Sequence, residues 1–356
     1  MNNVEYRAPS NHRTARRVIL VVIFLAVLLG GLWYVKWSPY WQKALLAGST
    51  HSIGTAIIAD IGAKASGPSL QAGWSFTVAY FTSVWKAVVL GLLVGSLIQV
   101  LIPTSWIKRH LGGTRFQDSL VAALAGVPTM MCTCCSAPVA VGMKRSKAST
   151  NSVVAFFLAN PVLNPATLVF MGFVLGWNFT IFRIVFGLIT VLGIATLVAK
   201  FGTQKSVELP DNKMFDPIVE SNEALIVRWI KALARLVIES IPAYVVIVYI
   251  LGTFSGVLFP AIHNGLNGGI LAILLFAVVG TLFVLPTAGE IPIIQALMAL
   301  GLSAGPAATL LIALPAVSIV SLTLLKPVFS WKNLGIIGGG VVVMSIIAGL
   351  FGSFIL

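Results

Sequence analysis

The chain has 356 residues, 58% of them apolar and only 9% charged, against about 25% charged in a soluble domain. That excludes a water-soluble globule, a disordered chain, a coiled coil and a collagen-like fibre. The net charge of +13 is not a nucleic-acid signature, because no soluble module large enough to carry a basic face is visible. Loop charge on a membrane protein accounts for it.

The first apolar run, Val18 to Val35, follows Arg13, Arg16 and Arg17 and leaves through Trp33-Tyr34-Val35-Lys36. With bulky interfacial aromatics and no small-residue cleavage site, it reads as a retained helix. Residues 36–73 read as a mixed polar loop. Further apolar stretches cover 75–102, 119–143, 150–174, 178–199, 236–258, 270–300, 306–325 and 335–355, most of them longer than the roughly 20 residues that span a bilayer as helix.

Of the 23 Lys and Arg, eighteen fall before residue 18 and in 103–118, 144–147, 200–235 and 326–334. The positive-inside rule places these segments, together with the N-terminus, on the cytoplasmic side of a multi-pass membrane protein. The chain divides into an N-terminal cytoplasmic segment, first helix and external loop (1–73), a first transmembrane repeat (74–200), a cytoplasmic linker (201–231) and a second repeat (232–356).

Loop 103–118 and the Lys144-Arg145-Ser146-Lys147 patch then share one side with a single apolar stretch between them. One full crossing cannot join two loops on the same side. The stretch is broken by Pro128 and Pro138, which suggests a re-entrant pair of half-helices; a kinked full span is the alternative. Such a break is tolerated at membrane depth only where protein or a water-filled cavity satisfies the backbone.

A weak self-similarity points the same way. Cys135-Ser136-Ala137-Pro138 lies over Gly289-Glu290-Ile291-Pro292 at a spacing of 154, with Ser149 on Ser303, Pro161 on Pro315 and Asn164 on Ser318; Gly95 and Pro103 fall on Gly252 and Pro260 at a spacing of 157. Each unit reads helix, broken hairpin, proline-broken helix, helix. Three crossings per unit would turn the second upside down, and the counterpart of basic loop 103–118, residues 259–268, has no Lys or Arg. The expected fold class is an all-α polytopic membrane protein with an inverted internal repeat and broken or re-entrant helices, an arrangement many secondary transporters use.

Candidate site residues cluster at the breaks. Cys132, Cys134 and Cys135 are the only cysteines; three soft sulfurs suit thiophilic species, and Ser136 opens the returning half-helix, whose positive end favours thiolate. As buried thiols they could equally be small hydrophobes. Asn160-Pro161 and Asn164-Pro165 put two amides on one helix face, while each proline removes a donor and frees carbonyls near Phe157 and Pro161. Ser318 is the second unit's weaker copy. Glu290, after Pro286-Thr287-Ala288-Gly289, is the acid set well inside an apolar run, where a carboxylate costs roughly 2.5–3.5 kcal/mol, so a coupling role fits. Lys86 in Trp85-Lys86-Ala87 is its expected partner, unless it snorkels to an interface. The Gly91-x-x-x-Gly95 and Gly252-x-x-x-Gly256 spacings permit close helix approach.

His12, His51, His110 and His263 are scattered through loops, so no structural zinc set forms, and no nucleotide or other cofactor motif appears. The expected partners are the lipid bilayer and a small-molecule substrate, with a homo-oligomer or accessory permease subunit left open.

Met130-Met131-Cys132-Thr133-Cys134-Cys135-Ser136-Ala137-Pro138-Val139-Ala140 and Asn160-Pro161-Val162-Leu163-Asn164-Pro165-Ala166-Thr167-Leu168-Val169-Phe170-Met171-Gly172 resemble the YraQ-type predicted permeases of bacterial inner membranes, related to the ArsP permeases. The likeness extends to Trp33-Tyr34-Val35-Lys36-Trp37, to Gly95 through Pro103 and to Pro286 through Pro292. It implies a permease rather than an enzyme, and ArsP relatives are associated with efflux of trivalent organoarsenicals, whose arsenic seeks thiols. The expected activity is export of a small soft or thiol-reactive solute, with Cys132, Cys134, Cys135, Ser136, Asn160, Asn164, Glu290, Thr287, Ser318 and Lys86 along its path. The alternatives are a membrane thiol oxidoreductase cycling Cys132 and Cys135, and a non-transporting subunit of a larger complex.

Overall fold

The computed structural model describes residues 11–52, 68–102, 104–203, 224–254, 269–299 and 301–356. Every regular element among them is helical. Helix α1 (Asn11–Leu32) passes through a π-helical turn (Trp33–Trp37) into α2 (Ser38–Thr50). The chain continues through α3 (Leu70–Leu101), α4 (Thr104–Leu111), α5 (Phe116–Gly126) and α6 (Thr133–Arg145), then α7 (Thr150–Val162), α8 (Pro165–Val174) and α9 (Trp177–Phe201). The second half holds α10 (Leu225–Thr253), α11 (Ile270–Gly280), α12 (Glu290–Ala299), α13 (Ala304–Ala316), α14 (Ile319–Leu325) and α15 (Trp331–Ile355).

Among the described residues seven segments are long and apolar enough to cross a membrane, and the protein is an all-α, multi-pass membrane protein. Burial orders them. Within their most apolar windows, Thr150–Val174 and Ala304–Leu325 are each 83% buried, whereas Ile19–Thr50 is 11% buried and Trp331–Ile355 33%. The two proline-broken segments therefore form the centre, where protein can satisfy irregular backbone, with the uninterrupted Leu70–Leu101, 72% buried, packed beside them.

The helix breaks follow from local chemistry. Pro161 and Pro315 sit in the last turns of α7 and α13, and α8 and α14 restart on side-chain caps. Asn164 Oδ1 accepts from the amides of Ala166 and Thr167 at 3.0 and 3.3 Å, and Ser318 Oγ accepts from Ser321 N at 3.2 Å. Ser149 and Ser303, matched in the repeat, are the N-cap residues of α7 and α13.

Side-chain contacts fix the direction of the first hairpin. Ser119, near the start of α5, accepts from Asn151 Nδ2 at 2.9 Å, and Lys144, near the end of α6, donates to Thr150 Oγ1 at 2.8 Å. Both ends of the hairpin thus meet the first turn of α7. Its tip lies further along α7, where Thr129 donates to Asn160 Oδ1. The break expected in 119–143 is therefore two half-helices that return to the side they left.

Helix α9 runs back along α7 and α8, with Thr180 on Leu168 O and Arg183 on Val162 O. Its exit is tied to the start of α15 by a reciprocal pair, Thr203 N to Asn333 Oδ1 and Asn333 Nδ2 to Thr203 O, at 2.8 and 2.9 Å. The far end of α15 then meets the start of α13, where a Cβ on Gly349 would meet Thr309 Oγ1 and one on Gly305 would meet Ser353 Oγ. The first turns of α7 and α13 accordingly lie at opposite ends of the bundle.

Two expectations needed adjustment. Residues 38–50, expected as loop, are helical, because the polar positions Ser38, Gln42, Lys43 and Ser49 punctuate an otherwise helix-compatible run. Helix α10 begins at Leu225, not 236; Arg228, Lys231 and Arg235 belong to a helix whose apolar positions recur at helical spacing. Pro103, Pro260, Gly256, loop 259–268 and most of the 201–231 linker lie outside the described residues.

Candidate functional site

The tip of the first hairpin and the turn between α11 and α12, its expected counterpart, each carry a non-glycine residue in the left-handed region, Met130 (φ 51°) and Ala288 (φ 67°). Side chains adopt that conformation at a cost, and such outliers concentrate at functional sites. The π-helical turn touches both. Trp37 Nε1 donates to Pro128 O at 3.0 Å, and Lys36 Nζ donates to Thr287 Oγ1 at 3.1 Å.

The three thiols are free and buried, and they do not share one environment. Cys132 occupies the N-cap of α6 and lines a cavity of about 490 Å³ together with Lys36, Lys43, Lys86, Tyr40 and Thr287. Cys135 stands one turn behind, its sulfur 2.8 Å from that of Cys132. Cys134 faces elsewhere, 3.8 Å from Tyr80 Oη and 3.9 Å from Ser318 Oγ, with Tyr244 Oη donating to Tyr80 Oη at 3.0 Å. Ser136 is fully buried and bonded to Thr133 O at 3.1 Å, so it serves the helix start. A narrow cleft beside the cavity is bordered by Cys132, Thr287, Glu290, Pro161 and Pro315; the breaks of both halves converge there.

Glu290 opens α12 and is 3% exposed. Its partner is not Lys86 but Arg183, whose Nη1 donates to Oε1 at 2.8 Å. Lys86 is exposed, its ammonium 5.3 and 5.8 Å from the ring centres of Tyr34 and Trp85, and the reason is geometric: α9 passes the break in α7 while Lys86 lies on the cavity's outer wall. Two further donors of Arg183 go to Val162 O at 3.0 Å and Pro161 O at 2.9 Å. Pro165 has no N–H to offer Pro161 O, so the arginine replaces the helix bonds that the Asn-Pro pair removes. The signal was available, since Arg183 lies in an apolar run, where an ionisable residue needs a named partner.

Asn160 is held at both ends, donating to Phe156 O at 2.8 Å and accepting from Thr129. Asn164 uses its oxygen as a cap, while its Nδ2 is buried with no partner among the described residues. Asn164→Ala is expected to cost about 1 kcal/mol through the lost cap, read as a lower melting temperature. Asn164→Asp keeps the capping oxygen, so lost transport with retained stability would assign the amide nitrogen to the solute path. Lys36, Tyr80, Tyr244, Thr129 and Arg183 escaped the sequence reading.

Residues 69–354 match a family described as predicted permease, of the ArsP type. The chain belongs to this permease family. It is 46% identical over 332 residues to UPF0718 protein YraQ of Escherichia coli (strain K12), covering 92% of this chain and 93% of that protein. It is 22% identical over 335 residues to UPF0718 protein MJ0584 of Methanocaldococcus jannaschii, covering 76% of this chain and 92% of that protein. No solved structure gives a significant match. As a permease-family member, the chain has its thiols, its buried ion pair and its cavity gathered where two interrupted helices meet.

Proposed function

We propose that this permease is a secondary transporter built from two inverted repeats, carrying a small soft or thiol-reactive solute past the two hairpin tips, in the export direction. The carrying observation is the convergence of Cys132, Thr287 and Glu290 on one cleft that shares Cys132 and Thr287 with the 490 Å³ cavity. Support for the inversion comes from the opposite placement of the first turns of α7 and α13, and from matched caps at Asn164 and Ser318. In this reading Cys132 contacts the solute, Asn160 and Asn164 shape its path, and the Arg183–Glu290 pair couples the halves during alternating access, since one partner comes from each repeat. Trivalent organoarsenicals are the first soft solutes to test.

The test is flux into proteoliposomes of trivalent arsenicals and thiol conjugates, comparing the natural chain with Cys132→Ser, Cys134→Ser, Cys135→Ser and the triple variant. Cys132→Ser is expected to lose tenfold or more, and Cys134→Ser to lose less because its thiol faces Tyr80. A triple variant that moves every solute as well as the parent would exclude the thiols from the path. The close approach of the Cys132 and Cys135 sulfurs favours one rival, a thiol oxidoreductase; flux that persists under full reduction separates the two.

A further inference from the structure

The cavity is unusual in its charge. Among the described residues three lysines line it, Lys36, Lys43 and Lys86, and no Asp or Glu does. Lys36 is 4% exposed, and its hydrogen-bond partners are neutral, Tyr40 Oη at 3.3 Å and Thr287 Oγ1 at 3.1 Å. An ammonium has three donors, so one is left over, and a buried cation without a counter-charge is costly. Glu290, which borders the neighbouring cleft, is taken by Arg183. Aromatic faces stand in for anions, with Lys36 5.3 Å from the Tyr40 ring centre and Lys86 5.3 Å from that of Tyr34; these hold a cation without neutralising it. Lys43 and Lys86 are exposed while Lys36 is buried, so the charge left unmatched inside the cavity is that of Lys36.

We infer that the cavity takes a small anion that carries a soft terminal atom, the anionic oxygens meeting Lys36, Lys43 and Lys86 and the soft atom facing Cys132. This narrows the solute class and rests on the transporter reading only for the claim that the bound anion then moves. A cavity lined by one sign of charge and walled by apolar helices concentrates the opposite sign, and the Cys132 thiol, a weak donor on a polarisable sulfur, is a poorer partner for a strongly hydrated oxygen than for a weakly hydrated, polarisable terminal sulfur. Binding is non-covalent, so no electrons change hands. Two of the three lysines, Lys36 and Lys43, precede the residues that match the permease family, which makes the N-terminal helix part of the selectivity wall.

Thiosulfate and sulfate are suitable probes, being dianions of similar shape that differ by one sulfur for one oxygen. Calorimetric titration of the purified full chain in a neutral, lipid-free detergent is expected to show thiosulfate binding at least tenfold tighter than sulfate. Lys36→Gln and the double variant Lys43→Gln/Lys86→Gln should each weaken thiosulfate tenfold or more, while Lys36→Arg retains it, which separates charge from folding. Equal affinity for the two anions, no binding to the parent, or unchanged binding in the Gln variants would overturn the inference. So would loss of thiosulfate binding on adding a small molar excess of phosphatidylglycerol, which would give the cavity to a lipid headgroup. Flux of the neutral phenylarsine oxide in the same proteins keeps the two readings apart. If it is carried alike by parent and lysine variants while thiosulfate fails to bind, the anion site is wrong and the transporter stands. Lysine-dependent thiosulfate binding with no flux of any solute leaves the site and removes the transporter.

Discussion

Arg183→Met is expected to be among the most damaging single changes in the protein. The guanidinium is fully buried and makes three separate bonds, to Glu290 Oε1, Val162 O and Pro161 O. Its removal strands a carboxylate that is 3% exposed, and breaking a buried pair from one side costs about 3–5 kcal/mol. Two carbonyls at the α7–α8 break also lose their donor, each worth about 1–3 kcal/mol when left buried and unsatisfied. The expected result is a melting temperature in detergent lowered by many degrees and poor recovery of folded protein. Glu290→Gln leaves the backbone bonds of Arg183 in place and should destabilise less. The double variant Arg183→Met/Glu290→Met should recover stability relative to Arg183→Met, because removing both charges is far less costly than orphaning one, yet flux should remain lost if the pair couples the halves. A Lys86→Glu/Glu290→Lys exchange, by contrast, should rescue nothing, since Lys86 lies against Tyr34 and Trp85. Rescue by that exchange would show that the pairing described here is not the one that matters.

The second large effect is expected at the glycines between α3 and α6. A Cβ on Gly91 would come to 2.3 Å from Cys135 O, one on Gly95 to 2.5 Å from Pro138 O, and one on Gly142 to 2.3 Å from Gly95 O. In each case the obstacle is backbone, which cannot rotate away, so the returning half-helix must move as a body. Over-packing of this kind costs about 1–3 kcal/mol or more, and here it also displaces Cys132 from the cavity. Gly91→Ala and Gly95→Ala should therefore lower both the melting temperature and solute flux. Gly193 and Gly335 meet nothing within 4 Å, and alanine there should be neutral or slightly stabilising, since glycine is the poorer helix former. Equal tolerance at Gly95 and Gly193 would mean that α3 and α6 are not in backbone contact.

Sequence patterns were most reliable where the physics is local. The breaks at Asn160-Pro161 and Asn164-Pro165, and at Pro315 and Ser318, are present because proline lacks a donor and Asn or Ser can restart a helix as a cap. The Gly91-x-x-x-Gly95 motif marks a close approach, although only the structure names α6 as the partner. The thiol cluster was legible as a cluster, but not as three different environments: Cys132 lines the cavity, Cys135 lies behind it, and Cys134 faces Tyr80 and Ser318.

By itself the sequence determined a membrane-embedded, all-helical chain with proline-interrupted segments. Hydropathy, proline placement and capping act within a few residues of themselves, so one strand of text carries them. Which charge meets which was decided only by tertiary structure. Lys86 is 204 residues from Glu290 in the numbering and Arg183 is 107, yet neither separation says which side chain reaches the carboxylate. That depends on where α9 passes the break in α7. The same holds for the cationic cavity, because Lys36, Lys43 and Lys86 come together only when the N-terminal helix lies across the tip of the first hairpin and the turn between α11 and α12.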